Sequence, residues 1–525
     1  MSSLSKLLFE KASSFASIYA LKIGERCITY QELNAKGLLV ASALAEAGAN
    51  QETVGLVGQR KVSSYLGVVG ILYAGCNYTP INPKYSEARI LSILKDSNIR
   101  FLVGDKQDIE MLEPILLQAG APSIEAIILP EGKALAGKKW IDESHLGGLK
   151  PLAKPVEMGP GDLAYILFTS GSTGVPKGVQ VQNSNILSFL RNMANEYKLE
   201  PGFRASQTFD FSFDPSVSDL FFTWTMGGEL CVLPEEEQML PSEYIRRERI
   251  TFWNSVPTVA GFMHKMGALT PGVFPELRYS MFCGEQFPKQ LADVWQEAAP
   301  NSSIENLYGP TEATIYVSRH VYTKEEKNKS FKNSIIPIGR PLKEMEFALI
   351  DETGNKVPEK EIGEIVYKGP QITKGYLNDQ KKTDSVFVKF NWDKSESTWY
   401  KSGDLGFYNE DGYLECIGRR DNQIKLGGRR IEIGEIEAVF SRYPKTQGAV
   451  VVPLRDKNQI VIGCVAFTTN DITKEEEMRI RKDSLKYIER IFFPKRIITI
   501  DVFPVAPSGK TDRKALAIKA QENSG

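Results

Sequence analysis

In the first third of the chain, short apolar runs alternate with longer stretches that have the spacing of helices. Val54–Val57, Phe101–Val103 and Leu163–Phe168 are apolar runs of strand length, and such runs are typical of buried strands. The apolar stretch Tyr65–Tyr73 and the amphipathic stretch Ala88–Asp96 have the length of helices. This alternation of strand and helix predicts parallel α/β layers.

Two further regions follow the first α/β layer. Apolar runs that predict a second sheet lie at Glu229–Leu233, Phe252–Val256 and Tyr279–Cys283. Between Ile336 and Cys416, short strand-like runs are separated by turn residues, a pattern that predicts a distorted, partly closed β-barrel.

Gly418–Gly428 interrupts this pattern with charges and glycines, and about a hundred residues of mixed helix and strand follow. We therefore predict two domains. Residues 1–420 would form a large N-terminal core of two α/β sheets and the barrel, and residues 421–525 would form a small α+β lid domain. Asp421 is the predicted hinge.

Composition narrows the functional classes. The 525-residue chain has a net charge of −1, so no overall field would attract it to nucleic acid or to an anionic membrane. Its six cysteines are scattered without a CxxC pair, and its three histidines lack ligand-like spacing, which argues against disulfides and zinc. No signal peptide or run of transmembrane length is evident. We expect a cytoplasmic monomer.

The most informative stretch is Thr169–Gly178, which directly follows a predicted buried strand. It contains three glycines, four hydroxyl side chains and Lys177. Glycine-rich backbone can bring N–H groups close to an anion, and hydroxyls and an ammonium add donors for phosphate oxygens. A flexible linker is the alternative, and a Walker loop fits poorly because Lys177 lies between Pro176 and Gly178. We predict a loop that closes over a polyphosphate.

A second stretch, Asn306–Thr314, offers the groups that a nucleotide needs. The Tyr308 ring provides a flat face for a purine, and the Asn306 amide can read an adenine edge. Thr311 can donate to a phosphate, and Glu312 is a carboxylate suited to Mg²⁺. Taken alone, the stretch is equally consistent with an ordinary turn. Together with the preceding loop it indicates nucleotide binding.

Weaker signals lie elsewhere, and each has a structural alternative. Asp404 follows a turn glycine and could accept both ribose hydroxyls, although Gly-Asp turns are common. Gly284 and Glu285 could form a wall of the purine pocket, and Arg419 lies in a charged loop. Lys510 lies on a Ser-Gly turn near the C-terminus, where it could enter an active site or belong to a frayed basic tail.

The order and separation of these stretches resemble the adenylate-forming superfamily, from Ile28 to Leu516. The resemblance is strongest to amino-acid-activating members, especially D-alanine–carrier protein ligases. It implies attack of a carboxylate on the α-phosphorus of ATP, with Mg²⁺ bound and pyrophosphate released. One departure is Asn183, where many relatives have histidine.

The resemblance also implies roles for individual residues. Thr311, Glu312 and Lys510 would be catalytic, and Glu312 would also hold the metal. The ATP site would comprise Thr169, Ser170, Gly171, Ser172, Thr173, Lys177, Gly284, Glu285, Asn306, Tyr308, Gly309, Asp404 and Arg419.

Asp214 matches the position at which amino-acid-activating members hold the substrate ammonium. A half-buried carboxylate suits an α-amino group better than a fatty acyl chain, although stabilisation of a helix N-terminus is the alternative. The rest of the implied pocket is Pro215, Ser218, Asn254, Met281, Cys283, Leu307, Ile315 and Tyr316. Bulky and uncharged residues favour a very small amino acid, with glycine first and D- or L-alanine next.

In the second half reaction, a thiol would attack the adenylate. No phosphopantetheine attachment site is evident in the sequence, so we expect a separate phosphopantetheinylated carrier protein, with coenzyme A as a less favoured acceptor. Relatives rotate the lid domain between the two steps. The remaining alternatives are an acyl- or aryl-CoA ligase and a non-enzymatic nucleotide-binding homologue.

Overall fold

The computed structural model describes residues 3–118, 120–134, 140–169, 176–329, 331, 334–358, 360–420, 423–456, 460–504 and 511–522. Within these ranges no helix combines the length and apolar character that crossing a membrane requires.

The elements before residue 150 alternate in type, as predicted. They are α1 (Leu4–Ser14), β1 (Tyr19–Ile23), β2 (Arg26–Thr29), α2 (Tyr30–Glu46), β3 (Thr53–Val57), α3 (Val62–Tyr73), β4 (Asn77–Ile81), α4 (Glu87–Asp96), β5 (Phe101–Gly104), α5 (Lys106–Leu116), β6 (Ala126–Ile128) and α6 (Glu143–Gly148).

The next part of the chain continues to residue 341. Its elements are β7 (Leu163–Thr169), β8 (Lys177–Gln182), α7 (Asn183–Glu196), β9 (Arg204–Gln207), α8 (Pro215–Val217), α9 (Thr223–Met226), β10 (Glu229–Val232), α10 (Ser242–Arg247), β11 (Phe252–Ser255), α11 (Pro257–Lys265), β12 (Tyr279–Cys283), α12 (Lys289–Ala298), β13 (Ser303–Tyr308), β14 (Ser318–Tyr322) and β15 (Arg340–Pro341). A π-helical turn, Ser218–Phe222, joins α8 to α9.

The strand-rich region and the C-terminal region complete the chain. They contain β16 (Glu346–Ile350), β17 (Gly363–Lys368), α13 (Gln380–Val386), β18 (Phe387–Val388), β19 (Trp399–Tyr408), β20 (Leu414–Arg419), β21 (Gln423–Leu426), β22 (Arg429–Glu432), α14 (Ile433–Phe440), β23 (Val450–Arg455), β24 (Val461–Thr468), α15 (Lys474–Ser484), β25 (Arg496–Thr499) and α16 (Arg513–Glu522).

Two large α/β sheets form most of the N-terminal part. One has the strand order β6-β5-β3-β4-β7-β8, and the other has the order β15-β14-β13-β12-β11-β9-β10-β1-β2. Parallel pairs run from β13 through β12, β11, β9 and β10 to β1. Strands β16 to β20 form a separate antiparallel sheet, and β23-β24-β25 form a small sheet near the C-terminus. The predicted fold class is confirmed.

The apolar stretch predicted as a helix is α3, and every one of its residues is buried. It crosses α2 closely because glycines lie at the contact. A Cβ atom at Gly37 would come within 2.5 Å of Val69, and one at Gly70 would come within 2.4 Å of Val40. The two helices could not approach this closely with larger residues at these positions.

The charged, glycine-containing segment after β20 is more ordered than its sequence suggests. Strands β21 and β22 pair in antiparallel register from Gln423–Glu432 to Leu426–Arg429. Gly427 and Gly428 form the turn with positive φ angles of 58° and 74°, which glycine adopts without steric cost. This β21–β22 hairpin packs against the N-terminal part of the chain at the candidate site.

Candidate active site

A cavity of about 890 Å³ opens beyond the carboxyl ends of the parallel strands β11, β12 and β13. Ligands of open α/β sheets bind at this edge of the strands. The structure brings many of the predicted site residues together in its wall: Thr169, Asp214, Pro215, Cys283, Gly284, Tyr308, Gly309, Thr311, Ile315, Tyr316, Asp404 and Arg419.

Asp214 contributes a carboxylate to this cavity. It precedes the three-residue helix α8, and its side chain makes no capping hydrogen bond to that helix. Its Oδ2 atom is buried and lacks a hydrogen-bond partner among the described residues. Burial raises the pKa of Asp214 to about 7. A buried, unpaired carboxylate oxygen is costly unless a ligand supplies a donor.

Ile315 and Tyr316 also line this cavity, and both are buried. Thr314 and Ile315 have positive φ angles of 58° and 76°, and this conformation is strained for a β-branched residue. Gln371 holds the segment in place by donating to the carbonyl oxygens of Tyr316 (2.8 Å) and Thr314 (3.3 Å). Gly309 is also required, since a Cβ atom there would lie 2.2 Å from the Ile315 carbonyl oxygen.

Asp404 lies on another wall of the cavity, where two side chains already hold it. The Tyr308 hydroxyl donates to its Oδ2 (2.5 Å), and Arg419 donates to its Oδ1 (2.9 Å). Burial raises the pKa of the Tyr308 hydroxyl well above its usual value, so this hydroxyl stays protonated and acts as a donor. Together, these three side chains present an aromatic face beside a carboxylate.

Glu312 faces a smaller, adjacent cavity of about 340 Å³ that Lys177 also lines. Its Oε1 accepts from the Tyr376 hydroxyl (2.6 Å) and lies 3.5 Å from an Arg430 nitrogen. Burial acts to raise the pKa of Glu312, but the Arg430 charge and hydrogen bonds from Tyr376, Tyr400 and the backbone together hold the pKa below its usual value. Glu312 is therefore a carboxylate at neutral pH.

The structure describes the predicted phosphate loop only at its two ends. Thr169 ends β7, Lys177 begins β8, and the two residues pair across antiparallel strands. Burial is the main cause that lowers the pKa of Lys177, and its Nζ atom lies 5.9 Å from the centre of the Tyr376 ring. Outside the described residues lie Ser170, Gly171, Ser172, Thr173, Asp421 and Lys510.

The AMP-binding enzyme model matches residues 8–377. The chain belongs to the AMP-binding enzyme family. It is an ATP-dependent, AMP-forming ligase, and the resemblance to the adenylate-forming superfamily is confirmed.

The relatives of this AMP-binding enzyme include a protein of similar length and much longer ones. It is 31% identical to zwittermicin A synthase ZmaJ of Bacillus cereus, over 98% of this chain and 94% of ZmaJ. It is 31% identical to tyrocidine synthase 2 of Brevibacillus parabrevis, over 98% of this chain but only 14% of that synthase. The structure matches the Vibrio cholerae adenylation domain AlmE, solved with glycyl-adenosine-5′-phosphate, with a TM-score of 0.84, 28% identity and coverage of 98% and 96%.

Four of the implied substrate-pocket residues of the AMP-binding enzyme lie behind the cavity wall rather than in it. Ser218, Asn254, Met281 and Leu307 are buried, and none of them lines the cavity. Among them, Asn254 contacts the wall directly, because its amide nitrogen donates to the Tyr316 hydroxyl oxygen (3.1 Å).

Asn306, whose amide we predicted to contact an adenine edge, does not line the cavity. It is buried outside the cavity lining, and its amide nitrogen donates to the carbonyl oxygens of Ile336 (3.0 Å) and Pro337 (2.9 Å). Its predicted contact with adenine stays a prediction.

Gly284 and Glu285 connect the cavity to the β21–β22 hairpin. Gly284 turns with a φ of 81° after β12. Glu285 accepts from the Gly428 backbone N–H (2.8 Å) and from the backbone N–H of Thr258 (3.1 Å). Glu285 therefore anchors the turn of the hairpin against the N-terminal part of the chain.

The hairpin supplies cavity residues that sequence reasoning missed. Lys425, Arg429 and Arg430 all line the cavity, and the Lys425 ammonium lies 6.0 Å from the centre of the Tyr308 ring. A signal was present, because Gly427-Gly428 between two alternating runs is typical of a tight hairpin. The sequence did not indicate which surface this hairpin would meet.

Metal binding can be tested on Glu312. No cluster of three or more potential metal-ligating His, Cys, Asp or Glu side chains occurs in the described part of the chain. The Glu312 Oε2 atom is nevertheless buried without a hydrogen-bond partner in that part. A single carboxylate oxygen fits Mg²⁺, which commonly takes one or two protein carboxylates and completes its shell with water and substrate phosphates.

Proposed function

We propose that this enzyme activates glycine. A glycine carboxylate oxygen attacks the α-phosphorus of ATP, the bond to the pyrophosphate leaving group breaks, and glycyl-adenylate forms. The thiol of a phosphopantetheine arm on a separate carrier protein then attacks the glycyl carbonyl carbon, and AMP leaves. D- or L-alanine is the next candidate substrate.

The observation that carries the proposal is the buried, unpaired Oδ2 atom of Asp214 in the cavity wall. A substrate ammonium would supply the missing donor and a compensating charge. The bulky side chains of Ile315 and Tyr316 line the same cavity, which favours a small amino acid. The similarity to AlmE, which was solved with glycyl-adenosine-5′-phosphate, supports the same substrate.

The nucleotide roles follow from the predicted motifs. Thr169, Ser170, Ser172, Thr173 and Lys177 would bind the β- and γ-phosphates. Positioning and charge stabilisation are the protein's main contributions to such a reaction.

The remaining groups complete this arrangement. Asp404 would bind the ribose, and Thr311 a phosphate oxygen. Glu312 would hold Mg²⁺, which neutralises phosphate charge when it is bound. Lys510 would contact the attacking carboxylate and the bridging oxygen. The lid domain, residues 421–525, would turn about Asp421 between the two half reactions.

An acyl- or aryl-CoA ligase is the competing function. It would share the nucleotide site, but it would have no use for a carboxylate with an unpaired oxygen where an uncharged acyl group must lie. We also propose a cytoplasmic monomer without a nucleic-acid partner, in keeping with the balanced charge.

The test is ATP–pyrophosphate exchange with every proteinogenic amino acid, D-alanine, and a panel of aliphatic and aromatic acids. We expect glycine to give the highest kcat/KM and the alanines to follow, because one methyl group in an apolar pocket changes selectivity by only about 1–3 kcal/mol. Faster exchange with a fatty or aromatic acid would identify the enzyme as an acyl- or aryl-CoA ligase instead.

A further inference from the structure

Asp219 is a buried carboxylate to which the predicted reaction gives no role. It lies in the π-helical turn Ser218–Phe222, directly after the short helix that follows Asp214. Turns of this kind are rare and occur frequently at functional sites. Asp219 is buried and does not line the cavity.

Asp219 begins a chain of hydrogen bonds that ends on the cavity wall. The Asn254 amide nitrogen donates to Asp219 Oδ1 (2.8 Å), and the Thr208 backbone N–H approaches Asp219 Oδ2 (3.3 Å). The same Asn254 nitrogen donates to the Tyr316 hydroxyl oxygen (3.1 Å). The Tyr316 hydroxyl in turn donates to the Cys283 sulfur (3.4 Å).

These hydrogen bonds can hold the Tyr316 side chain in one position. The side chains that form them are buried, and both Asp219 oxygens accept a hydrogen bond, one from Asn254 and one from the Thr208 backbone N–H. A buried polar network whose members are paired holds side chains rigidly, whereas a mismatched network is costly. The Tyr316 hydroxyl is thus held from two sides while its ring packs 5.9 Å from the Phe189 ring, measured between centres.

We infer that Asp219 is a positioning residue which, through Asn254, fixes the Tyr316 side chain and thereby sets the largest amino acid that the cavity accepts. The inference rests on the proposed function, because it assumes that the substrate side chain points towards Tyr316. On this account, the size limit depends on hydrogen bonds as well as on the volume of the tyrosine. A ring without these bonds can shift and make room for a methyl group.

The first test uses near-isosteric variants. In Asp219→Asn, the new NH₂ group must face one of the two donors that now bond to Asp219, which are the Asn254 amide and the Thr208 backbone N–H. Tyr316→Phe removes the hydroxyl and keeps the ring. We expect each variant to lower the ratio of kcat/KM for glycine to that for alanine about tenfold in pyrophosphate exchange. Tyr197→Phe is the matched control, since that buried hydroxyl donates to Glu305 (2.7 Å) away from the cavity. Its ratio should equal that of the wild type.

The second test restores the pairing. In the double variant Asp219→Asn, Asn254→Asp, the amide at position 219 can donate to the carboxylate at position 254. The Tyr316 hydroxyl can donate to the same carboxylate. We expect the glycine-to-alanine ratio to recover towards the wild-type value. A role confined to stability would change the melting temperature of the single variants and leave their ratios unchanged.

A third test is needed if the double variant Asp219→Asn, Asn254→Asp does not fold. It is a double-mutant cycle between Asp219→Asn and Tyr316→Phe, which measures whether the two residues act through the same contact. The combined variant should have the ratio of one single variant, because both changes release the same ring. Multiplied effects, or wild-type ratios in both single variants, would overturn the inference. If the wild type prefers another amino acid, the proposed function fails. The same variants then still test the role of Asp219, through the ratio of kcat/KM for that amino acid to kcat/KM for its homologue with one added methyl group.

Discussion

Asp214 shows how one side chain can select for a charged substrate. Burial leaves its Oδ2 atom without a donor and raises the pKa to about 7. An approaching ammonium would restore the charged form by pairing with it. The residue therefore responds to both the charge of the substrate and the pH of the solution.

Glycine activation should depend on pH through Asp214. Only the carboxylate attracts an ammonium, so kcat/KM for glycine should fall as the pH drops below about 7, by roughly tenfold per unit well below the pKa. Pyrophosphate exchange between pH 5.5 and 8.5 measures this slope. Burial also raises the pKa of Glu435 to about 7, so Glu435→Gln is the control and should keep the slope. A flat wild-type profile would contradict the assignment.

Truncation of Tyr316 should widen the accepted substrate range. Tyr316→Ala should raise the rates with alanine, serine and larger amino acids relative to glycine by at least about tenfold, because it removes a bulky side chain from the cavity wall. It should also cost about 3–5 kcal/mol of unfolding free energy. Tyr30→Ala is a control, since Tyr30 is buried and bonds to the Gly228 carbonyl oxygen outside the cavity lining. Equal selectivity in both variants would count against the pocket assignment.

At the scale of elements, local patterns predicted most of the secondary structure. The buried strand β7 and the apolar helix α3 follow from the length and apolar character of their sequences alone. The segment Thr314–Tyr316 could not be predicted in this way. Thr314 and Ile315 have positive φ angles, and the segment accepts hydrogen bonds from Gln371, which is distant in sequence.

Removal of Gln371 should therefore relax the cavity wall. Gln371→Ala leaves buried carbonyl oxygens unpaired and should cost about 1–3 kcal/mol of unfolding free energy, together with a raised KM for glycine. Asn192 donates to the other end of the Gln371 amide (2.8 Å). Asn192→Ala should lower stability without changing KM. Denaturant unfolding and pyrophosphate exchange measure the two effects, and an unchanged KM in Gln371→Ala would refute the role of the strained segment.

At the scale of the whole molecule, the sequence indicated a hinge but not the contacts around it. The β21–β22 hairpin is held by Glu285 at Gly428, and Arg430 approaches Glu312. These contacts join residues separated by more than a hundred positions, so no local pattern reveals them. Asn254 and Met281 were likewise assigned to the cavity from motif position, but they lie behind its wall.

Lys510, in the predicted lid domain, provides a prediction at this scale. Lys510→Ala should reduce glycine-dependent pyrophosphate exchange by about 10²–10³-fold, the size expected for loss of a group that stabilises developing charge. ATP affinity, measured by calorimetry, should change little. Lys514 follows Lys510 closely in the sequence and is exposed. Lys514→Ala should behave as the wild type. Unimpaired exchange in Lys510→Ala would remove this lysine from the first half reaction.

The most direct measurement compares glycine with acetate, which lacks the ammonium, in the wild type and in Asp214→Asn. Pyrophosphate exchange should favour glycine strongly in the wild type. The substitution should reduce kcat/KM for glycine by at least about a hundredfold, as expected for loss of a buried charged partner, and should leave the acetate rate nearly unchanged. Equal losses with both acids, or full glycine activity in Asp214→Asn, would contradict recognition of the substrate ammonium by Asp214.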